Sequence, residues 1–151
     1  MNYENSIDAL NTLIEINNDR IEGYKTAAEE TDEMELKTLF SELSLTSFKC
    51  HSELVAEVRS LGGTPVEGTK TTGKIYRVWM DFKSLLTGKS RSSVLNSCEY
   101  GEDVALSTYD DVLSNHAEDL TIGQRTMLNL QRSLIKADHD KVKELRDLMP
   151  A

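Results

Sequence analysis

The sequence predicts an all-α domain: a four-helix bundle of two antiparallel hairpins joined by a long crossover, running up-down-down-up. Three observations predict it. Apolar residues recur every three or four positions over 5–30, 33–61, 91–115 and 122–148, the spacing that lines them along one face of a helix. The links within the first and last pairs of segments are short and turn each pair back on itself, whereas the middle link is long. Each stripe is also interrupted by polar residues near its midpoint, so helices of matched length carry polar groups at matched depth.

In the first segment Ile7, Leu10, Ile14, Ile21, Tyr24 and Ala28 form the stripe, and Asn17 takes the central turn. Only Gly23 interrupts residues 5–61 before Gly62, so the first turn rests on capping. Thr31 or Asp32 is expected to cap the second helix, with Asp32 and Glu35 at capping-box spacing and Asp32, Glu33 and Glu35 at the positive end of its dipole. One continuous helix over 5–61 would leave two apolar faces uncovered. The second stripe runs Leu36, Phe40, Leu43, Ser47, Cys50, Leu54, Val58 and Leu61, and Gly62-Gly63 ends it with the left-handed residue that helix C-termini favour.

Residues 62–73 form a connection, and 74–87 a shorter amphipathic helix with Ile75, Val78, Trp79, Phe82, Leu85 and Leu86 on one side. Trp79 and Phe82 are expected to pack this crossover onto the bundle, with a homodimer surface as the alternative. Gly88 stops it, and Ser90 can cap the third long helix, whose stripe is Leu95, Cys98, Ala105, Tyr109 and Val112 around Glu102. Thr121-Ile122-Gly123-Gln124 is a capping box at the head of the fourth. Its stripe is Leu128, Gln131, Ile135, Asp138, Val142, Leu145 and Met149.

A chain of 151 residues with 38% hydrophobic and 28% charged content suits one soluble helical domain that needs no disulfide or structural metal. The net charge of −9 argues against nucleic acid and anionic membranes as partners. The densest basic stretch, Lys136 to Arg146, is interleaved with Asp138, Asp140 and Glu144 and reads as a solvated face. The apolar runs are too short to span a bilayer, and the first residues lack the basic and apolar regions of a leader, so a cytoplasmic location is expected. Cys50 and Cys98 lie on apolar stripes and read as buried thiols, a redox pair only if the helices bring them face to face.

Two hairpins with one long crossover is the plan of ferritin-like bundles. Several segments carry a closer resemblance. They are Ile16-Asn17-Asn18-Asp19-Arg20-Ile21-Glu22-Gly23-Tyr24, Leu61-Gly62-Gly63-Thr64-Pro65, Tyr76-Arg77-Val78-Trp79-Met80-Asp81 and Cys98-Glu99-Tyr100-Gly101-Glu102-Asp103. With His139-Asp140 and Leu145-Arg146-Asp147 near the end, the chain resembles a family of uncharacterised bacterial proteins, described as ferritin-like four-helix bundles of unknown function. The resemblance covers nearly the whole chain and implies the fold, a bacterial source and a stress association. It carries over no catalytic or binding residue.

A ferritin-type dinuclear centre takes one Glu from each of two helices and a Glu-x-x-His from each of the other two. Glu102 has the right depth, with Glu99 one turn earlier toward the flank. The first helix offers Asn17 instead of a carboxylate, and Glu15, Asp19 and Glu22 lie off its stripe. The second has Ser47 and Cys50 where the motif would sit, with His51 one position off the seam. The fourth has Lys136 three residues before His139, and Gln131 and Asp138 on the seam. The expectation is therefore a hydrogen-bonded polar layer of Asn17, Ser47, Glu102, Gln131 and Asp138, helped by Tyr24 or Tyr109, in which Glu102 accepts from Asn17 or Gln131.

The alternative is a reduced site for one divalent metal ion centred on Glu102, with Glu99, Asp138 and His139 as candidate ligands. No catalytic residue and no organic cofactor is expected, because His51, His116 and His139 are scattered over three elements without a nucleophile. The function these readings favour is a non-enzymatic accessory or stress protein that acts through protein contacts as a homodimer. A metal-binding protein or oxidoreductase is the alternative.

Overall fold

A computed structural model describes residues 3–67 and 91–148. They fold into α1 (Glu4–Glu30), α2 (Met34–Ser60), α3 (Arg91–Asn115), a 3-10 turn (Ala117–Asp119) and α4 (Ile122–Asp147), with no strand among the described residues. The crossover segment 74–87, with Trp79 and Phe82, and the Ser90 cap lie outside them.

Contacts across the helix pairs run in opposite sequence directions. Asp110 meets Arg132 and Asn96 meets Arg146 between α3 and α4. Ser6 donates to the Asp119 carbonyl while Arg20 reaches Glu102, so α1 runs against the α3 hairpin. Gln124 meets Glu57 and Lys141 meets Glu42 between α4 and α2. The four helices therefore form an all-helical bundle in which α2 and α3 point the same way, and the end of α2 and the start of α3 lie at opposite ends.

Local chemistry explains most boundaries. The Gly62 N–H reaches the Arg59 carbonyl and the Gly63 N–H reaches the Val58 carbonyl, both at 3.0 Å, closing α2 in the doubly bonded manner that satisfies its last carbonyls. Gly62 takes φ +82°, which L side chains resist, and a Cβ on Gly63 would come within 2.8 Å of the Ile7 side chain. Asn11 of α1 grips the loop that follows, accepting from the Val66 N–H at 2.9 Å and donating to the Thr64 carbonyl at 3.2 Å. Thr121 and Gln124 make the reciprocal capping box at the head of α4. The start of α2 departs from expectation. Its cap residue is Glu33, whose side chain makes no capping bond to the helix, and Thr31 accepts from the Glu33 N–H at 3.2 Å, outside the helix. The turn is held instead by the Lys37 ammonium on the Ala28 carbonyl at 2.8 Å.

The core falls into two apolar clusters. One gathers Leu10, Leu13, Ile14, Leu54, Val58, Tyr109, Leu128 and Ile135. The other gathers Tyr24, Leu36, Phe40, Leu43, Leu95, Cys98 and Val142. Buried Asn17, Arg20, Ser47 and Glu102 lie between them in sequence on α1, α2 and α3, and buried Gln131 sits within the first cluster's span on α4.

Candidate functional site, a charged layer at mid-bundle

Helix α1 packs against α2 on one side and α3 on the other, so its buried arc is wider than one stripe. Ile21 ends up at the margin, and Asp19 and Arg20 go inside. This corrects the placement of Asp19 off the stripe. Arg20 is the residue that periodicity alone missed, because a charged side chain is seldom assigned to a core. One signal was available: Arg20 stands three residues after Asn17 and four before Tyr24, on the same face.

Arg20 and Glu102 are both 0% exposed. The Arg20 Nη2 donates to both carboxylate oxygens of Glu102 at 2.7 Å, and Nη1 donates to the Ser47 hydroxyl. Tyr24 donates its phenol proton to Glu102 Oε1, and the Arg20 guanidinium carbon lies 5.6 Å from the centre of the Tyr24 ring. Asp138, 16% exposed, brings Oδ2 to 3.7 Å of the same Nη2, an ionic neighbour beyond hydrogen-bond length. Burial opposes the charge on Arg20, but the facing Glu102 carboxylate outweighs it and holds the guanidinium above its ordinary pKa. Burial, and then the Glu102 charge, push the Tyr24 phenol well up, so it remains a proton donor. Burial also pushes the Asp138 carboxyl up to about 6, against the opposing pull of Thr46 and Arg20.

A second, neutral chain of bonds crosses the layer beside this ion pair. Asn17 donates to the Leu13 carbonyl at 2.9 Å and to the Tyr109 hydroxyl at 3.0 Å. Tyr109 donates to Gln131 Oε1 at 2.7 Å, and Gln131 Nε2 donates to Glu53 Oε1 at 3.1 Å. Asn17 and Gln131 thus bond through Tyr109, and Glu102 accepts from Arg20 and Tyr24 instead. That corrects the expected partners of Glu102. The reason is charge: a buried carboxylate is satisfied far better by a guanidinium than by an amide.

The candidate metal ligands separate into two groups. Glu102 and Asp138 turn inward to Arg20. Glu99 and His139 meet in the groove between α3 and α4, and Asp103, which the sequence reading did not select, joins them. His51 is half-buried, its ring 6.3 Å from that of Phe48, and burial lowers its pKa. His116 pairs with Asp119 at 3.3 Å in the α3–α4 turn. The two cysteines are free and buried, and burial pushes both thiols up, Cys50 to about 11.

The interior does not fit a dinuclear iron centre. Both oxygens of Glu102, its mid-layer carboxylate on α3, are engaged by a protein cation. A divalent ion placed about 4 Å from that guanidinium would be opposed by about 8 kcal/mol at an effective dielectric constant of about 20. A single ion centred on Glu102 meets the same obstacle.

Among the described residues, no helix is long and apolar enough to cross a membrane. No curated protein matches the chain. A family model matches residues 5–115, which span α1, α2 and α3 and include Arg20, Ser47 and Glu102. The chain belongs to that family, described as a domain of unknown function, DUF2383.

Proposed function

We propose that this is a ferritin-like bundle in which a guanidinium from the chain itself takes the place of the mid-bundle metal, and that it works as a non-enzymatic accessory protein through protein contacts. The observation that carries this reading is the Arg20–Glu102 pair, fully buried and hydrogen-bonded through both carboxylate oxygens. A charge-compensated layer of this kind needs no ligand to neutralise it. It sets helix register, since the two charges satisfy each other in one alignment of α1 against α3.

The surface is then the part that acts. Leu45 and Phe48, one turn apart on α2, are 67% and 58% exposed, and Leu130 lies exposed on α4. Homodimerisation through such side chains, in a cytoplasmic, stress-associated bacterial setting, belongs to the same proposal. Ferrous iron supplies the test. The protein should show no ferroxidase turnover that Glu102→Gln abolishes. Two iron atoms per chain, oxidised in a Glu102-dependent way, would overturn the reading. Sedimentation of wild type against Phe48→Glu tests the dimer, which should dissociate in the variant.

A further inference from the structure

The groove between α3 and α4 holds a cluster that the interior network does not use. Glu99 and Asp103 stand four residues apart on α3 and so share a face, and His139 reaches them from α4. One ligand atom from each lies within 4.8 Å of the others. His139 Nε2 is 2.8 Å from Asp103 Oδ1 and 3.7 Å from Glu99 Oε1. Two ligand atoms each about 2.1 Å from one metal ion stand about 3.0 Å apart at a right angle and about 3.4 Å apart at the tetrahedral angle. The observed separations bracket those values.

The other face of the imidazole supplies an independent observation. His139 Nδ1 lies 3.2 Å from Asp140 Oδ1, so a carboxylate stands ready to hold the ring proton on Nδ1 when Nε2 takes a metal, the outer-shell arrangement that metal-bound histidines use. In that tautomer the Nε2 lone pair and two carboxylate oxygens converge on one point from two helices. A cation at that point is bound by all three atoms, where a ring proton on Nε2 serves Asp103 alone at hydrogen-bond length. The surroundings hold Arg146 on the second oxygen of Glu99 and Lys136 on Asp140. Against Glu99, Asp103, Asp140 and Asp147, which shares Arg146, they leave the cluster two negative charges with His139 neutral. Asp103 is 58% exposed and His139 12%, so an ion enters from solvent onto a ring that packing and Asp140 hold in place.

We propose that Glu99, Asp103 and His139 form a divalent transition-metal site on the outer side of the mid-bundle layer. One imidazole nitrogen with two carboxylate oxygens selects a borderline ion such as Zn2+ or Co2+ over Ca2+ or Mg2+, which take oxygen alone. Arg146 orients Glu99 so that Oε1 is the ligand. The site is separate from Glu102, whose oxygens belong to Arg20.

The experiment is calorimetric titration of the tag-free, full-length chain with Zn2+, with the visible spectrum of the Co2+ form and the imidazole 15N resonances of His139 as coordination readouts. One Zn2+ per chain is expected, with the Nε2 resonance shifting and the Nδ1 proton retained. His139→Ala and Asp103→Asn should each weaken binding about 10-fold or more, and Asp140→Asn about 10-fold. Glu102→Gln, His51→Ala and His116→Ala should bind as wild type does. All variants are checked for helical content first, and the exposed Asp103→Asn keeps the test valid should His139→Ala fold poorly. Absence of saturable binding, full affinity in a folded His139→Ala variant, or an Nε2 resonance that Zn2+ does not move would each overturn the proposal, leaving His139 as the imidazolium of a surface ion-pair cluster.

Discussion

One turn of α3 carries carboxylates of two kinds. Glu102 points into the bundle and is matched by a guanidinium from α1, a phenol from the same helix and, through that guanidinium, a serine from α2. Glu99 and Asp103 point into the groove beside α4 and meet a histidine whose far nitrogen faces Asp140. Side chains one position apart on a helix point about 100° apart, and that rotation takes Asp103 from the solvent of the groove to the closed interior of Glu102. Inside, water cannot compensate a charge, so the counter-ion has to be built into the chain. Outside, solvent access allows the counter-ion to be exchangeable. A carboxylate on a bundle helix therefore points to a metal only after the chain's own cations have been placed.

Cutting the interior pair gives the largest expected effect. Glu102→Leu leaves Arg20 buried with only the more distant Asp138 as a counter-charge and should cost about 3–5 kcal/mol in urea unfolding. The double variant Arg20→Met with Glu102→Leu should recover most of this or exceed wild type, because both desolvation costs disappear together. If Glu102→Leu alone is as stable as wild type, the two charges do not face each other in the interior.

Asp138 gives the next effect, and it depends on pH. Burial raises its folded pKa to about 6, above the unfolded value near 3.8, so the folded state binds the extra proton between those values. Stability from this group is then full at pH below about 4 and falls as pH rises through 6, a loss of about 3 kcal/mol at most for roughly two pKa units. Asp138→Asn should lack this fall and gain on wild type between pH 4 and 8, as chemical unfolding across that range measures. A parallel pH profile for the two proteins would show Asp138 to be solvated, and the inner layer to stop at Arg20.

Tyr109→Phe tests the neutral half of the layer. Loss of the hydroxyl strands the Asn17 amide and the Gln131 carbonyl oxygen and should cost about 1–3 kcal/mol by the same measurement. The groove should respond least. In metal-free buffer Asp103→Asn should change stability by about 1 kcal/mol or less, because a partly exposed pair exchanges protein contacts for water. A cost as large as that of Glu102→Leu would erase the contrast between inside and outside.

Much of this was legible along the chain. The mid-stripe positions of Asn17, Ser47, Glu102 and Gln131 follow from spacing, and all four are buried. The Gly62-Gly63 stop and the Thr121–Gln124 box are local chemistry and occur where local chemistry puts them. The start of α2 was not legible in the same way. Thr31 and Asp32 are both capping types, yet the helix starts after Glu33, in a turn where Thr31 bonds to the Glu33 N–H and Lys37 to the Ala28 carbonyl. Arg20 was hidden because its position competes with Ile21 for the same face. Which of the two goes inside depends on α3 lying beside α1, a contact between residues 82 positions apart.

The sequence by itself determined that the chain forms paired amphipathic helices, where most of them end, and that polar groups gather at one depth. These are properties of neighbours three or four residues apart, and a helix expresses them without reference to the rest of the chain. Which polar groups meet is settled by the packing of the four helices. It paired Glu102 with Arg20, linked Asn17 to Gln131 through Tyr109, and turned Glu99 and Asp103 toward His139. Those pairings depend on how far each helix is rotated about its own axis when four of them pack. That rotation is set by side-chain volume and charge summed over the whole interface, which no single stretch of sequence contains.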